Sequence, residues 1–296
     1  MSKSAILSSS IAKKYCMALT GLFLCLFLVG HLIGNLQLIL KHGEEGKLAF
    51  NQYAYFMAHN PLIKAMSYLT YFSILFHAVD GIMLALQNKK ARPVSYAYNN
   101  PTANSSFAAR KMAVLGSVIL IFIAIHMANF WYKVKVSSEP MPLHKVMIVD
   151  PQSKQEQALY ITHTDNFVPA SAFEDTPMAP AQMIIKNGTE FYNKQVNIKM
   201  GEGYKDLHSL VFGFFGHDMT KFGIPKNDNA LLAVAFYVLA MAVLAFHLMH
   251  GFASAFQSLG MNHKRYNSTI KLIGNAFAVL VPLAFAIIPL YIYLTK

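Results

Sequence analysis

The chain has 296 residues, of which 55% are hydrophobic and 13% charged, with a net charge of +11 and a mean hydropathy of +0.37. A soluble domain carries about 25% charged residues, so the composition excludes an ordinary soluble fold and points to a bilayer as solvent. The only cysteines, Cys16 and Cys25, exclude a disulfide framework and a C-x-x-C-H covalent haem site, and are expected to be packing residues.

Crossing the hydrocarbon takes about 20 apolar residues in a helix, and five stretches qualify. The first is Tyr15 to Leu40, between Lys14 and Lys41. It is too long for a signal-peptide core and lacks a small-residue cleavage site, so it is expected to stay as a span. The second is Ala65 to Asn88, with Asp80 its only formal charge, and the third is Met112 to Tyr132. Between the third and fourth lies a long connection, in which "KVMIV" and "ALYIT" alternate as short strands do. A small β-rich insert is expected there, followed by an interfacial amphipathic helix in "GYKDLHSLVFGFFG". The fourth span starts near Ala230 and ends near Gly260. The fifth runs from Leu272 to Thr295 with Pro282 and Pro289 inside, which a membrane helix tolerates. The expectation is an all-α membrane protein: helices one to three over 1–134, an insert over 135–228, and helices four and five over 229–296. No internal repeat or low-complexity tract is evident.

Charge sets the orientation. The N-terminus (Lys3, Lys13, Lys14), the second connection (Lys89, Lys90, Arg92, Arg110, Lys111) and the fourth (Lys264, Arg265, Lys271) are basic and free of acids. With five spans these segments share one side, so they are expected in the cytoplasm, with the C-terminus and the insert outside. The high isoelectric point follows from topology. Nucleic-acid binding is a poor reading, since no soluble basic domain exists to carry it.

Of twelve histidines, seven fall in connections: His42, His59, His144, His163, His208, His217 and His263. They are expected to be unremarkable loop residues. Five fall within spans: His31, His77, His126, His247 and His250. An ionisable residue inside a membrane helix is costly and usually faces the bundle interior. Four helices each carrying one need a common explanation, and depth supplies it. His31 and His126 lie about nine and six residues from the outer ends of their spans. His77 lies about eleven residues from its inner end, His247 about thirteen and His250 about ten. At about 1.5 Å per residue, His31 and His126 form an outer layer, and His77 with His247 or His250 an inner one.

Two layers of facing imidazoles match two bis-histidine haems stacked in a four-helix bundle. Gly81 lies four residues after His77 and Gly251 four after His247, on the same helix faces, where a missing side chain leaves room for a porphyrin edge. Gly30 and Gly34 flank His31 in similar fashion, whereas Phe130 follows His126 at that spacing. The shared H-x-x-x-G pattern favours His247 over His250, which is left to contact a propionate or to pack.

The stretches "LVGHLIGNLQ", "LFHAVDGIMLAL", "AIHMANFWYK" and "FHLMHGFASAFQSLG" resemble the dihaem cytochrome b membrane anchor of succinate dehydrogenase and fumarate reductase, in its five-helix, menaquinone-linked form. The likeness covers the spans and short loops, roughly two-thirds of the chain. It implies two b haems, the distal one on His31 and His126 and the proximal one on His77 and His247. It also implies a flavoprotein subunit and an iron–sulfur subunit docked on the cytoplasmic face of a bacterial inner membrane, with Lys89 to Arg92 and Lys264 to Arg265 as candidate contacts. The chain would pass electrons to menaquinone or another quinone, as the non-catalytic electron-transfer subunit of the enzyme. No acid stands near the outer start of span two, where some relatives have one; His42, Glu44, Glu45 and His59 are the nearby polar candidates for the quinone site. Asp80 is expected to be protonated, to pair with Lys89 or Lys90, to tune the inner haem, or to reach the interface. The competing readings are another quinone-linked dihaem cytochrome, a histidine-based proton or metal transporter, and a haem-free anchor.

Overall fold

The computed structural model describes residues 10–296 except 92, 95–97, 99, 101–102, 104, 150, 152–153 and 178; Lys3 and Arg92 lie outside the described residues. The chain is mainly helical, with five helices long and apolar enough to cross a membrane. Helix α1 spans Ser10–Leu40 and α2 Gly43–His59. Helix α3 spans Pro61–Ala91, and α4, Met112–Met127, follows a one-turn helix at Phe107–Arg110. Helix α5 spans Leu207–Phe214, α6 Ala230–Ser258 and α7 Lys264–Leu294. The five apolar stretches are therefore α1, α3, α4, α6 and α7.

Local chemistry explains the breaks. Glu44 and Glu45 occupy the first turn of α2, where the helix dipole favours anions. Asn60 leaves the helical region at φ −66°, ψ 123°, because the ring of Pro61 disfavours a helical residue before it. Pro61 then takes the first position of α3, where its missing N–H costs nothing. Helix α4 passes into a π-helical segment at Ala128–Tyr132 before a last turn at Lys133–Lys135. Helix α7 is continuous through Pro282 and Pro289, and Pro282 is fully buried.

The contacts divide the chain into two compact units. The first comprises the described residues of Met1–Asn35, Pro61–Ile125 and Val234–Leu290. In it Cys25, Leu248 and Ala278 form a buried cluster with Leu28, Leu244, Phe252 and Phe277 packed around it. This agrees with a packing role for Cys25, whereas Cys16 is exposed. Gly274 admits α6 closely: a Cβ there would fall 2.8 Å from the Phe252 ring.

The second unit comprises Leu36–Asn60, His126–Ala233 and Tyr291–Lys296. Its strands form two three-stranded antiparallel sheets, β1 (Lys145–Val149), β2 (Glu156–Ile161) and β3 (Phe167–Pro169), then β4 (Met183–Lys186), β5 (Glu190–Asn193) and β6 (Lys199–Glu202). "KVMIV" is β1, and the "ALYI" of "ALYIT" ends β2. Tyr160, Phe173 and Phe191 pack with ring centroids 4.9–5.6 Å apart, and Phe191 is fully buried. Gly203 is required by that core, since a Cβ there would lie 2.8 Å from Phe191 Cζ. The amphipathic stretch becomes α5, opened by Asp206, whose carboxylate accepts from the Ser209 backbone N–H at 3.1 Å.

Candidate functional site

Among the intramembrane histidines, His77 on α3 and His247 on α6 face each other, with ring centroids 6.2 Å apart and planes at 68°. Both rings belong to the first unit. Each rests on a glycine of another helix. A Cβ on Gly21 of α1 would lie 3.2 Å from His77 Cε1, and one on Gly116 of α4 would lie 3.5 Å from His247 Cε1. A Cβ on Gly21 would crowd His77, whereas one on Gly116 would touch His247 at ordinary contact distance, so only a side chain extending beyond Cβ would press on it.

Thr20 orients His77. Its hydroxyl donates to the Cys16 carbonyl at 2.8 Å, and its oxygen lies 3.3 Å from His77 Nδ1. With the Thr20 proton on the backbone, its oxygen can accept from Nδ1–H, and in that tautomer Nε2 carries the free lone pair. Metal-binding histidines are fixed in this way by the hydrogen bond of their second nitrogen. The Nδ1 of His247 is buried without a hydrogen-bond partner.

Two imidazoles sharing one metal ion through bonds of about 2 Å would have ring centres about 6 Å apart; these ring centroids are 6.2 Å apart, with the planes at 68°.

The glycines work differently from the expectation drawn from H-x-x-x-G. Gly81 and Gly251 face methionine ends: a Cβ would lie 3.6 Å from Met17 Cε and 3.4 Å from Met112 Cε, respectively. Around Gly30 nothing lies within 4 Å. The glycines beneath the imidazoles are Gly21 and Gly116. These contacts expose a correspondence that the sequence hides. Met17, Gly21 and His31 match Met112, Gly116 and His126, each pair being 95 residues apart. His77 and Gly81 match His247 and Gly251, each 170 apart. So the α1–α3 contacts at these residues match the α4–α6 contacts position by position.

His31 belongs to the first unit, its ring 5.4 Å from Phe27 and 5.6 Å from Phe285, with Asn35 Nδ2 3.5 Å from Nδ1. His126 belongs to the second unit, at the foot of the π-helical segment, 5.4 Å from the Phe130 ring. Such π segments recur at functional sites, and nothing in "HMANFWYK" announces one. His250 is not part of the facing pair; it lines a cavity of about 360 Å³ with Ser254, Gln257, Lys271 and Asn275. Asp80 neither reaches the surface nor pairs with Lys89 or Lys90. It is 5% exposed, and its Oδ2 has no hydrogen-bond partner.

The second unit holds a polar network that includes connection histidines with no distinguishing motif around them. Lys47 on α2 pairs with Asp206 at 2.9 Å, at 4% and 0% exposure. Asn51 ties the cluster together, donating to Asp206 at 2.9 Å, lying 3.1 Å from His144 Nδ1, and accepting from the His208 backbone N–H at 2.9 Å. Burial pushes the His144 and His208 imidazoles down to about 4, against the opposing pull of Asp206. His163 is also not a free loop residue: its ring packs between Tyr55 and Tyr204 at 3.8 and 4.5 Å, tilted by 47° and 48°.

No family model, curated protein or solved structure matches this chain.

Proposed function

We propose that this chain is the membrane-anchoring, dihaem cytochrome b subunit of a succinate:quinone oxidoreductase, carrying electrons between an iron–sulfur subunit and menaquinone or another quinone. The observation that carries the reading is the His77–His247 pair. Two imidazoles from different helices face each other with ring centroids 6.2 Å apart, each beside a glycine of another helix. Depth along the spans pairs His77 with His247 or His250, and the shared H-x-x-x-G spacing favours His247.

His77 and His247 would hold the haem nearer the cytoplasm. His31 and His126, which stand at matching positions of α1 and α4, would hold the other. Bound there, the haems supply one-electron chemistry. The chain's part is to fix the imidazole tautomer through Thr20, to keep side chains off the ring faces at Gly21 and Gly116, and to surround the pair with apolar helices. The basic connections would lie in the cytoplasm of a bacterial inner membrane, where flavoprotein and iron–sulfur subunits dock, with the C-terminus outside.

A reduced-minus-oxidised spectrum of the purified chain, with haem stoichiometry, tests the proposal. Two b-type haems per chain are expected. Absence of a haem band would overturn it, and haem without a co-purifying flavoprotein would move the chain to another quinone-linked cytochrome.

A further inference from the structure

The side-chain amide of Asn51 is fully used. Its Oδ1 accepts from the His208 backbone N–H at 2.9 Å, which fixes which end of the amide is oxygen. Its Nδ2 then holds two donors. One goes to Asp206 Oδ1 at 2.9 Å and the other to His144 Nδ1 at 3.1 Å. His144 Nδ1 is therefore an acceptor, and the ring is neutral with its proton on Nε2. That Nε2 is buried without a hydrogen-bond partner.

A second proton has no place on this ring. It would sit on Nδ1 and point at the Asn51 Nδ2–H, donor against donor. Turning the amide over to accept it would lose both Asp206 and the His208 N–H. Charge works in the same direction. Lys47 and Asp206 already balance each other at 2.9 Å, and Asn51, His144 and Asp206 are fully buried. Lys47 disfavours a cationic His144, whereas Asp206 favours it. His208, stacked on Phe212 at 4.2 Å, is placed similarly: Lys47, His144 and His217 oppose its proton and Asp206 attracts it.

The joint that such a proton would break belongs to α2. Residues 142–144 are held to residues 204–206 by the backbone. The His144 N–H donates to the Tyr204 carbonyl at 2.7 Å, and the Asp206 N–H donates to the Pro142 carbonyl at 2.8 Å. Those bonds do not titrate. The polar ties of α2 to this ribbon are the side chains of Lys47 and Asn51.

We propose that this cluster is an acid-released clasp: protonation of His144 expels the Asn51 amide and frees α2 from α5 and from the residues before β1. In the orientation proposed above the clasp would lie outside and answer to the pH of the outer compartment. It does not depend on the electron-transfer reading.

The test is hydrogen–deuterium exchange of the full chain in detergent micelles, resolved by peptide and corrected for the intrinsic rate at each pH. A histidine held at about 4 in the closed clasp and at 6.5 in the open one lowers the protection of α2 about tenfold between about pH 7.5 and about pH 5.5. Helices α6 and α7 should keep their protection over the same interval. In His144→Asn the side-chain oxygen keeps an acceptor near the place of Nδ1 and takes no proton, so the acid response of α2 should shrink about tenfold. His144→Gln serves if the smaller residue prevents folding. No acid-dependent loss in native α2, a loss spread evenly over α2, α6 and α7, or an undiminished response in the folded variant would overturn the clasp.

Discussion

The imidazole of His77 rests on Gly21, and a Cβ there would come within 3.2 Å of its Cε1. Ninety-five residues later, Gly116 stands in the same relation to His247. Space for the facing rings is therefore made by the two helices that do not carry them.

Bulk at these glycines should displace a ring. Gly21→Leu and Gly116→Leu are each expected to leave one haem per chain, read by pyridine haemochrome. Gly81→Ala should retain both, because its added methyl meets only the mobile end of Met17 at 3.6 Å. Two haems in Gly21→Leu would refute the seating role.

Ligand removal should act layer by layer. His31→Ala is expected to lose the outer haem and spare the inner one, and His77→Ala the opposite, as resolved by redox titration of the haem bands. Loss of both haems in either variant would leave the two-layer assignment unsupported.

Thr20→Val removes the acceptor at 3.3 Å from His77 Nδ1 and keeps the shape. Loss of such orienting partners typically costs 10–100-fold in metal affinity. The inner haem of this variant should be easier to extract by a competing apoprotein, with the outer haem unchanged.

The Lys47–Asp206 pair is buried, so removing one partner strands a charge at a cost of about 3–5 kcal/mol. Lys47→Met should lower the thermal midpoint in detergent markedly. Adding Asp206→Asn should restore part of the loss, since no naked carboxylate then remains. An unchanged midpoint in Lys47→Met would mean the ion pair adds nothing.

His144 and His208 are held at about 4 in the folded chain, against an ordinary 6.5. Between those values the unfolded chain binds more protons, so stability falls as pH drops from about 6.5 toward 4. The slope is at most about 1.4 kcal/mol per pH unit for each histidine. His208→Phe should flatten the dependence of the thermal midpoint on pH over that window. An unaltered slope would show that His208 does not titrate with folding.

The spans were legible because lipid imposes a length and an apolar composition that few other contexts share. Strands β1 and β2 were legible from alternation, whereas β3 to β6 were not, and the facing of His77 and His247 was expected from depth and the common H-x-x-x-G spacing. Helix α2 was not anticipated, because "GEEGKLAFNQYAYFMAH" is too polar to read as a span and sits where a short loop was expected.

What the sequence determined by itself is which stretches are long and apolar enough to cross a membrane and which histidines fall inside them, since both follow from composition and position along the chain. What only the tertiary structure decided is what meets each ring. Gly21 and His77 are 56 residues apart, and Asn51 reaches His144 and Asp206 across 93 and 155. Contacts between helices depend on how each is rotated and crossed against its neighbour, which spacing within one helix leaves undetermined.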